Sequence, residues 1–171
     1  MYYELGIMNY VTKTTWLAVG VCLLSAACNR QTTLVAVAPN PVYDYNRQLQ
    51  IGSQTLNVEI ASTPAEQQQG LSGRKAMADN QGMLFAFGSP QTPAFWMKDM
   101  DFNLDFIWIA GGKVIGITSD VQAPVNCQSS IVNCKLPLYY PPSAVDEVLE
   151  VNAGWSQRNK IKTGNEVRLV N

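Results

Sequence analysis

Histidine is missing from this chain of 171 residues. The absence removes the side chain that most often acts as a general base near neutral pH. It also removes Ser-His and Cys-His nucleophile pairs and imidazole metal ligands. Catalytic zinc usually takes at least one nitrogen ligand, so a zinc activity is not predicted. No other cofactor is predicted either. Any catalysis would have to rely on Asp, Glu, Lys, Tyr or Ser.

Charge is also scarce. Charged residues make up 15% of the chain, the net charge is −1, and no run of basic residues occurs. Proteins that bind nucleic acids need a basic face, so no nucleic-acid partner is expected. The hydrophobic content of 47% is enough to build a core, and the length indicates one domain with additional segments.

The amino terminus has the pattern of an export signal. Lys13 supplies a positive charge, and residues 16–27 form an apolar run of small and aliphatic residues after Trp16. Such a run is too short to span ~30 Å of hydrocarbon, but its length suits a signal peptide. We therefore predict a signal peptide over residues 1–27, with Met1 or Met8 as the start of the chain.

Cys28 follows Ser25, Ala26 and Ala27, which resembles the signal of a bacterial lipoprotein. This predicts lipidation of Cys28 and anchoring of an exported protein to a membrane through that lipid alone. The leucine that usually lies three residues before the cysteine lies four before it here, so simple cleavage near Ala27 remains open. Residues 28–47 are predicted to be a tether and residues 48–171 a single domain.

Two cysteines, Cys127 and Cys134, remain after Cys28. An exported chain meets an oxidising environment, which predicts a disulfide between them. Free thiols or a metal clip are the alternatives. A metal clip is disfavoured because the chain has no histidine to complete a ligand set.

From residue 48 onward the pattern is one of short strands. Residues 49–51 and 55–60 read as a hairpin across Gly52 and Ser53, with a type II′ turn. Thr63 and Glu66 form a capping box for a short helix that ends at Gly70. Further strands are predicted over 83–87, 94–98, 104–109, 113–118, 146–152 and 166–170. The pattern predicts a mainly β fold, an antiparallel sandwich, jelly roll or small barrel with one or two short helices.

Five segments, taken in order, resemble the domain-of-unknown-function 192 family. They are residues 70–74, 82–87, 95–98, 104–105 and 148–154. The resemblance implies a small, mostly β domain that is often exported, with no activity to transfer. Asp99 departs from the family pattern, which usually has Asn at that position.

A candidate site is suggested by the aromatic and charged block over residues 83–109. Strand alternation places Asp105 on a face with Ile107 and Ile109, where a buried carboxylate needs a partner, and Lys98 and Arg74 are the candidates. The predicted ligand-binding residues are Arg74, Trp96, Met97, Lys98, Asp105 and Glu150. The alternative is an internal ion pair that only fixes the strand register.

The sequence therefore predicts a non-catalytic envelope module that binds a ligand or a protein partner of unknown identity. The alternative is a carboxylate-dependent hydrolase of a glycoside or an ester that uses Asp105 and Glu150. Glycosidases hold two carboxyl groups ~5 Å or ~6.5–9.5 Å apart, so that reading requires the two side chains to meet. A third possibility is a purely supporting domain whose charges are satisfied internally.

Overall fold

The computed structural model describes residues 43–125 and 135–170. Across these residues the chain forms seven strands and two short helices. They are β1 (Arg47–Ile51), β2 (Gln54–Ala61), α1 (Pro64–Gln69), β3 (Gln81–Gln91), β4 (Leu104–Ala110), β5 (Lys113–Val121), β6 (Val145–Asn152), α2 (Trp155–Arg158) and β7 (Val167–Val170). Within the same ranges, neither helix has the length and apolar character needed to cross a membrane.

The seven strands form one curled sheet, a half-barrel, in the order β5-β4-β6-β3-β2-β1-β7. The prediction of a mainly β fold with one or two short helices is confirmed. Neighbouring strands are antiparallel except β2 and β3, which are parallel. The antiparallel expectation failed at this pair because the chain between β2 and β3 includes α1 and crosses back before β3 starts, as a parallel pair requires.

The local signals at the start of the domain correspond to real structure. The β1–β2 hairpin turns at Gly52, whose φ is +56°, while Ser53 keeps a negative φ, as a type II′ turn requires. At α1, Thr63 Oγ1 accepts a bond from the Glu66 amide at 3.3 Å, and Glu66 Oε2 accepts one from the Thr63 amide at 2.8 Å. The capping box and its helix are confirmed.

The central strands β3, β4 and β6 are buried on both faces. We call one side the aromatic face, defined by Met83, Phe85, Phe106, Trp108 and Val148. The other is the aliphatic face, defined by Leu84, Ile107, Ile109, Leu149 and Val151. Because side chains alternate along a strand, neighbouring residues of β4 or β6 enter different cores. A charged residue in these strands is therefore enclosed whichever face it occupies.

The predicted strand over residues 94–98 is wrong. Only Phe95 pairs there, in an isolated bridge with Tyr139, and the chain then turns through Asp99. Asp99 has a φ of +55°, and its carbonyl accepts a bond from the Gly73 amide at 2.8 Å. A left-handed residue cannot continue a strand, and Asn and Asp tolerate this conformation better than most residues.

Several predictions lie outside the described residues. They concern the signal peptide over 1–27, lipidation of Cys28, most of the tether, and the disulfide between Cys127 and Cys134. They stay predictions.

Candidate functional site

A cavity of about 290 Å³ lies on the aromatic face, beside α1 and the segment that follows β3. Phe85, Phe87 and Phe95 contribute to the apolar part of its lining. Trp96 also lines the cavity and has 48% of its surface exposed. Glutamines 67, 68, 69 and 91 add amide groups. Glu150 of β6 supplies the lining residue that can carry a charge. The cavity thus combines aromatic surface, amides and one carboxyl group.

Glu150 is almost completely buried, with 5% of its surface exposed. It lies on the aromatic face, opposite Met83 of β3 and Phe106 of β4. Within residues 43–125 and 135–170, no group forms a hydrogen bond with its carboxyl. Burial raises the pKa of Glu150 from 4.5 to about 8, and the positive charge of Arg74 opposes part of that rise. The side chain is therefore mainly a neutral carboxylic acid at pH 7, able both to donate and to accept a hydrogen bond.

Arg74 is buried next to the cavity and is not part of its lining. Its Nη2 atom lies 2.8 Å from Glu59 Oε2, and its Nη1 atom donates to the Tyr45 hydroxyl at 2.7 Å. The guanidinium carbon lies 3.7 Å from the centre of the Tyr43 ring. Arg74 was predicted to be a ligand-binding residue, but these contacts place it in an internal ion pair. It acts on Glu150 through its charge.

Asp105 lies in a different core from Glu150. It is paired with Val151 and fully buried on the aliphatic face, as the alternation in β4 predicted. Its carboxylate accepts bonds from the amides of Asp120 (2.9 Å), Gly154 (3.1 Å) and Ser156 (3.0 Å), and from Ser156 Oγ (2.6 Å).

Lys98 and Arg74 were predicted to be the partners of Asp105, and that prediction is wrong. Gly154, the residue before α2, has no side chain to cap the helix. Asp105 of β4 takes that role and accepts a hydrogen bond from the backbone amide of Ser156. Asp105 has a structural role in joining β4 to α2 and to the end of β5.

Lys98 and Met97 are also separated from the cavity. Lys98 is exposed, and its carbonyl accepts a bond from Ser72 Oγ at 2.8 Å, while Met97 is buried in the core under the aromatic face. Of the predicted ligand-binding residues, the structure brings only Trp96 and Glu150 to the cavity.

The two carboxylates of the hydrolase hypothesis are not brought together. Asp105 pairs with Val151 and Glu150 pairs with Phe106, so consecutive ladder positions send the two side chains to opposite faces of the sheet. The strands β4 and β6 lie between them. A glycosidic bond in the cavity could meet Glu150 but not Asp105, so these residues do not form an acid–base pair.

The glutamines of α1 were missed by the sequence analysis. Gln67, Gln68 and Gln69 lie in a helix without a single buried residue. A short helix that lacks an apolar stripe carries polar side chains on every face, so its glutamines are candidates for contact with a ligand. That signal was present in the sequence, next to a segment that matched the family pattern.

Metal binding finds no support in the part of the chain that is described. There, no group of three or more acidic or cysteine side chains is placed to hold a metal ion. Asp99 and Asp101 belong to the turn after Phe95, and Asp101 pairs with Lys75 at 2.8 Å.

Comparison with known proteins gives a family and a fold. The model of the family DUF192, described as Uncharacterized ACR, matches residues 47–169. A crystal structure of a protein of unknown function from Novosphingobium aromaticivorans has a TM-score of 0.64 and 27% identity, covering 78% of this chain and 94% of that chain. A Sinorhizobium meliloti protein, provisionally called a transcription regulator, has a TM-score of 0.63 and 27% identity, covering 72% and 92%. No curated protein matches the chain.

Proposed function

This chain belongs to the DUF192 family, an uncharacterised family, and we propose that it is an exported envelope module that binds a small uncharged ligand in the cavity beside Glu150. The proposal concerns binding and not turnover. In the described part of the chain, Glu150 is the one titratable side chain in the cavity lining, and the second carboxylate of the hydrolase hypothesis, Asp105, lies on the opposite face.

The observation that carries the proposal is the contrast between the two buried acids. Asp105 accepts four hydrogen bonds, whereas no described residue bonds the carboxyl of Glu150. Among the described residues, the one fully enclosed side-chain oxygen without a partner is Asp146 Oδ1, so the oxygens of Glu150 are open to the cavity that the residue lines. An acid retained at such a position, and facing a cavity, has its hydrogen-bonding capacity available for a ligand.

The description of the Sinorhizobium meliloti protein is not carried over to this chain. DNA binding draws most of its affinity from Lys and Arg residues that neutralise phosphates. The present sequence has 12 such residues against 13 acidic ones and no basic run. A small-molecule site fits this composition better than a nucleic-acid interface does.

The cavity can be tested by closing it. Ala94 is exposed and lines the cavity, whereas Thr92, two residues earlier, is exposed and does not. In a saturation-transfer NMR screen with uncharged fragments, we expect the wild type and Thr92→Trp to give hits, and Ala94→Trp to lose them because the indole fills the opening. Equal hits for all three proteins would show that the fragments bind elsewhere and would refute the site.

Export and anchoring are tested at Cys28. We expect the mature chain to start at Cys28 with a diacylglycerol thioether, as shown by mass spectrometry of the amino terminus. Cys28→Ser should move the protein from the membrane fraction into the soluble fraction, because no thiol remains to take the lipid. A mature chain that begins near Ala27 without lipid would support simple cleavage, and an unprocessed chain would contradict export.

A further inference from the structure

The glutamines around the cavity present hydrogen-bond acceptors as well as donors. Gln67 Nε2 donates to the carbonyl of Ala86 at 2.9 Å, and Gln69 Nε2 donates to that of Ser72 at 2.9 Å. These bonds orient the two amides, and their carbonyl oxygens accept nothing from the described residues. Such oxygens suit a ligand that brings hydroxyl donors.

Among residues 43–125 and 135–170, the lining contains no lysine, arginine or aspartate, and its one acid is mainly neutral at pH 7. A phosphate or carboxylate ligand would find no cation in the lining to pair with, since nearby Arg74 is engaged by Glu59 and Tyr45, and an ammonium ligand would find no stable counter-ion. Several amides together with one carboxylic acid match a ligand that is rich in hydroxyl groups and has no charge.

Trp96 adds a flat apolar surface at the cavity. About half of the surface of this residue is exposed, although a tryptophan usually buries its large apolar area. Leu138 and Tyr140, which flank the bridge partner of Phe95 in the sequence, are also exposed. The negative face of an aromatic ring attracts the C–H groups of a pyranose, whose hydroxyls then remain free to meet amides.

From these three features we propose that the cavity binds a neutral sugar, with one pyranose ring on Trp96 and its hydroxyl groups on Glu150 and the glutamines. The inference rests on the proposed binding function of this cavity and names its ligand class. A volume of about 290 Å³ lies at the small end of ligand sites, so we expect one or two rings of a glycan to enter.

The test uses the purified full chain in a detergent without a sugar head group. Cellotriose, maltotriose and N,N′,N″-triacetylchitotriose serve as neutral probes, a trigalacturonate as an acidic probe, and a Gly-Ser-Gly tripeptide with an acetylated amino end and an amidated carboxyl end as an uncharged peptide probe. We expect at least one neutral trisaccharide to shift the Trp96 indole N–H signal and the Gln67 and Gln69 side-chain signals in ¹H–¹⁵N spectra.

Variants separate the contributions of the site. Trp96→Ala should weaken binding about tenfold, the effect of losing roughly one aromatic contact. Leu169→Ala, which removes an exposed apolar residue from β7, should leave the affinity unchanged. Glu150→Gln should bind within about threefold of the wild type because a neutral amide also donates and accepts, whereas Glu150→Leu should abolish binding.

Other outcomes overturn the sugar assignment in distinguishable ways. If no sugar binds but the tripeptide or uncharged fragments bind and are lost in Ala94→Trp, the sugar class is refuted and the binding function stands. Tighter binding of trigalacturonate than of every neutral sugar would also refute a neutral ligand. If neither sugars, tripeptide nor fragments perturb the cavity signals, both the sugar class and the proposed function fail.

Discussion

Replacing Asp105 by Asn is expected to destabilise the domain by about 3–5 kcal/mol. The carboxylate accepts four hydrogen bonds, and two of the four donors belong to Ser156. Asparagine keeps one acceptor oxygen and turns an NH₂ group toward at least one of these donors. A fully buried site gives the displaced donors no access to water, so each lost bond also leaves an unsatisfied group.

Urea unfolding followed by tryptophan fluorescence would measure this loss, since buried Trp155 begins α2 directly before Ser156. Ser156→Ala should cost only about 1–2 kcal/mol because it removes a single donor. Asp99→Asn is the matched control: the same chemical change at a left-handed turn residue should alter stability by about 0.5 kcal/mol or less. A loss below about 1 kcal/mol for Asp105→Asn would contradict the capping role.

The sequence predicted the elements whose signals are local. The capping box at Thr63, the Gly52 turn and the alternation around Asp105 each depend on residues a few positions apart, and all three are present. The prediction of a strand over residues 94–98 was wrong because the apolar residues there belong to an isolated bridge and a turn. Alternation of polar and apolar residues predicts which side chains are buried. It does not predict whether the backbone pairs with another strand.

The site itself depends on contacts that no local pattern encodes. The donors to Asp105 lie 15, 49 and 51 residues away, and most of them are backbone amides, which every residue has. Alternation correctly assigned Asp105 to the face of β4 that carries Ile107 and Ile109. It could not show that Glu150 of β6 lies on the opposite face of the same sheet, since that requires the register of β4 against β6.

Replacing Glu150 by Gln is expected to stabilise the folded domain, by an amount that grows with pH. The folded pKa is raised to about 8 from an ordinary value of 4.5, mainly by burial. Below pH 4.5 both states hold the proton, so the variant and the wild type should be about equally stable. As the pH rises toward 8, the unfolded chain releases the proton and the folded chain retains it, so the wild type loses stability by about 1.4 kcal/mol for each pH unit.

The difference should level off above pH 8, where both states are ionised, at a gain on the order of 4–5 kcal/mol for Glu150→Gln. Urea unfolding at intervals between pH 4 and pH 9 would trace the curve. Glu166→Gln, at an exposed acid, should give parallel curves for variant and wild type. Parallel curves for Glu150→Gln as well would contradict a neutral buried acid in the folded protein.

Glu150→Leu extends the argument from stability to function. Leucine removes the same titration, so this variant should also be more stable than the wild type at pH 7, provided that it packs against Met83 and Phe106. It offers no hydrogen bond to the cavity, however, and should not bind neutral sugars. A residue whose removal strengthens the fold but abolishes binding is retained for the ligand, because stability alone would favour its replacement. If the leucine variant bound as well as the wild type, Glu150 would have no role in recognition.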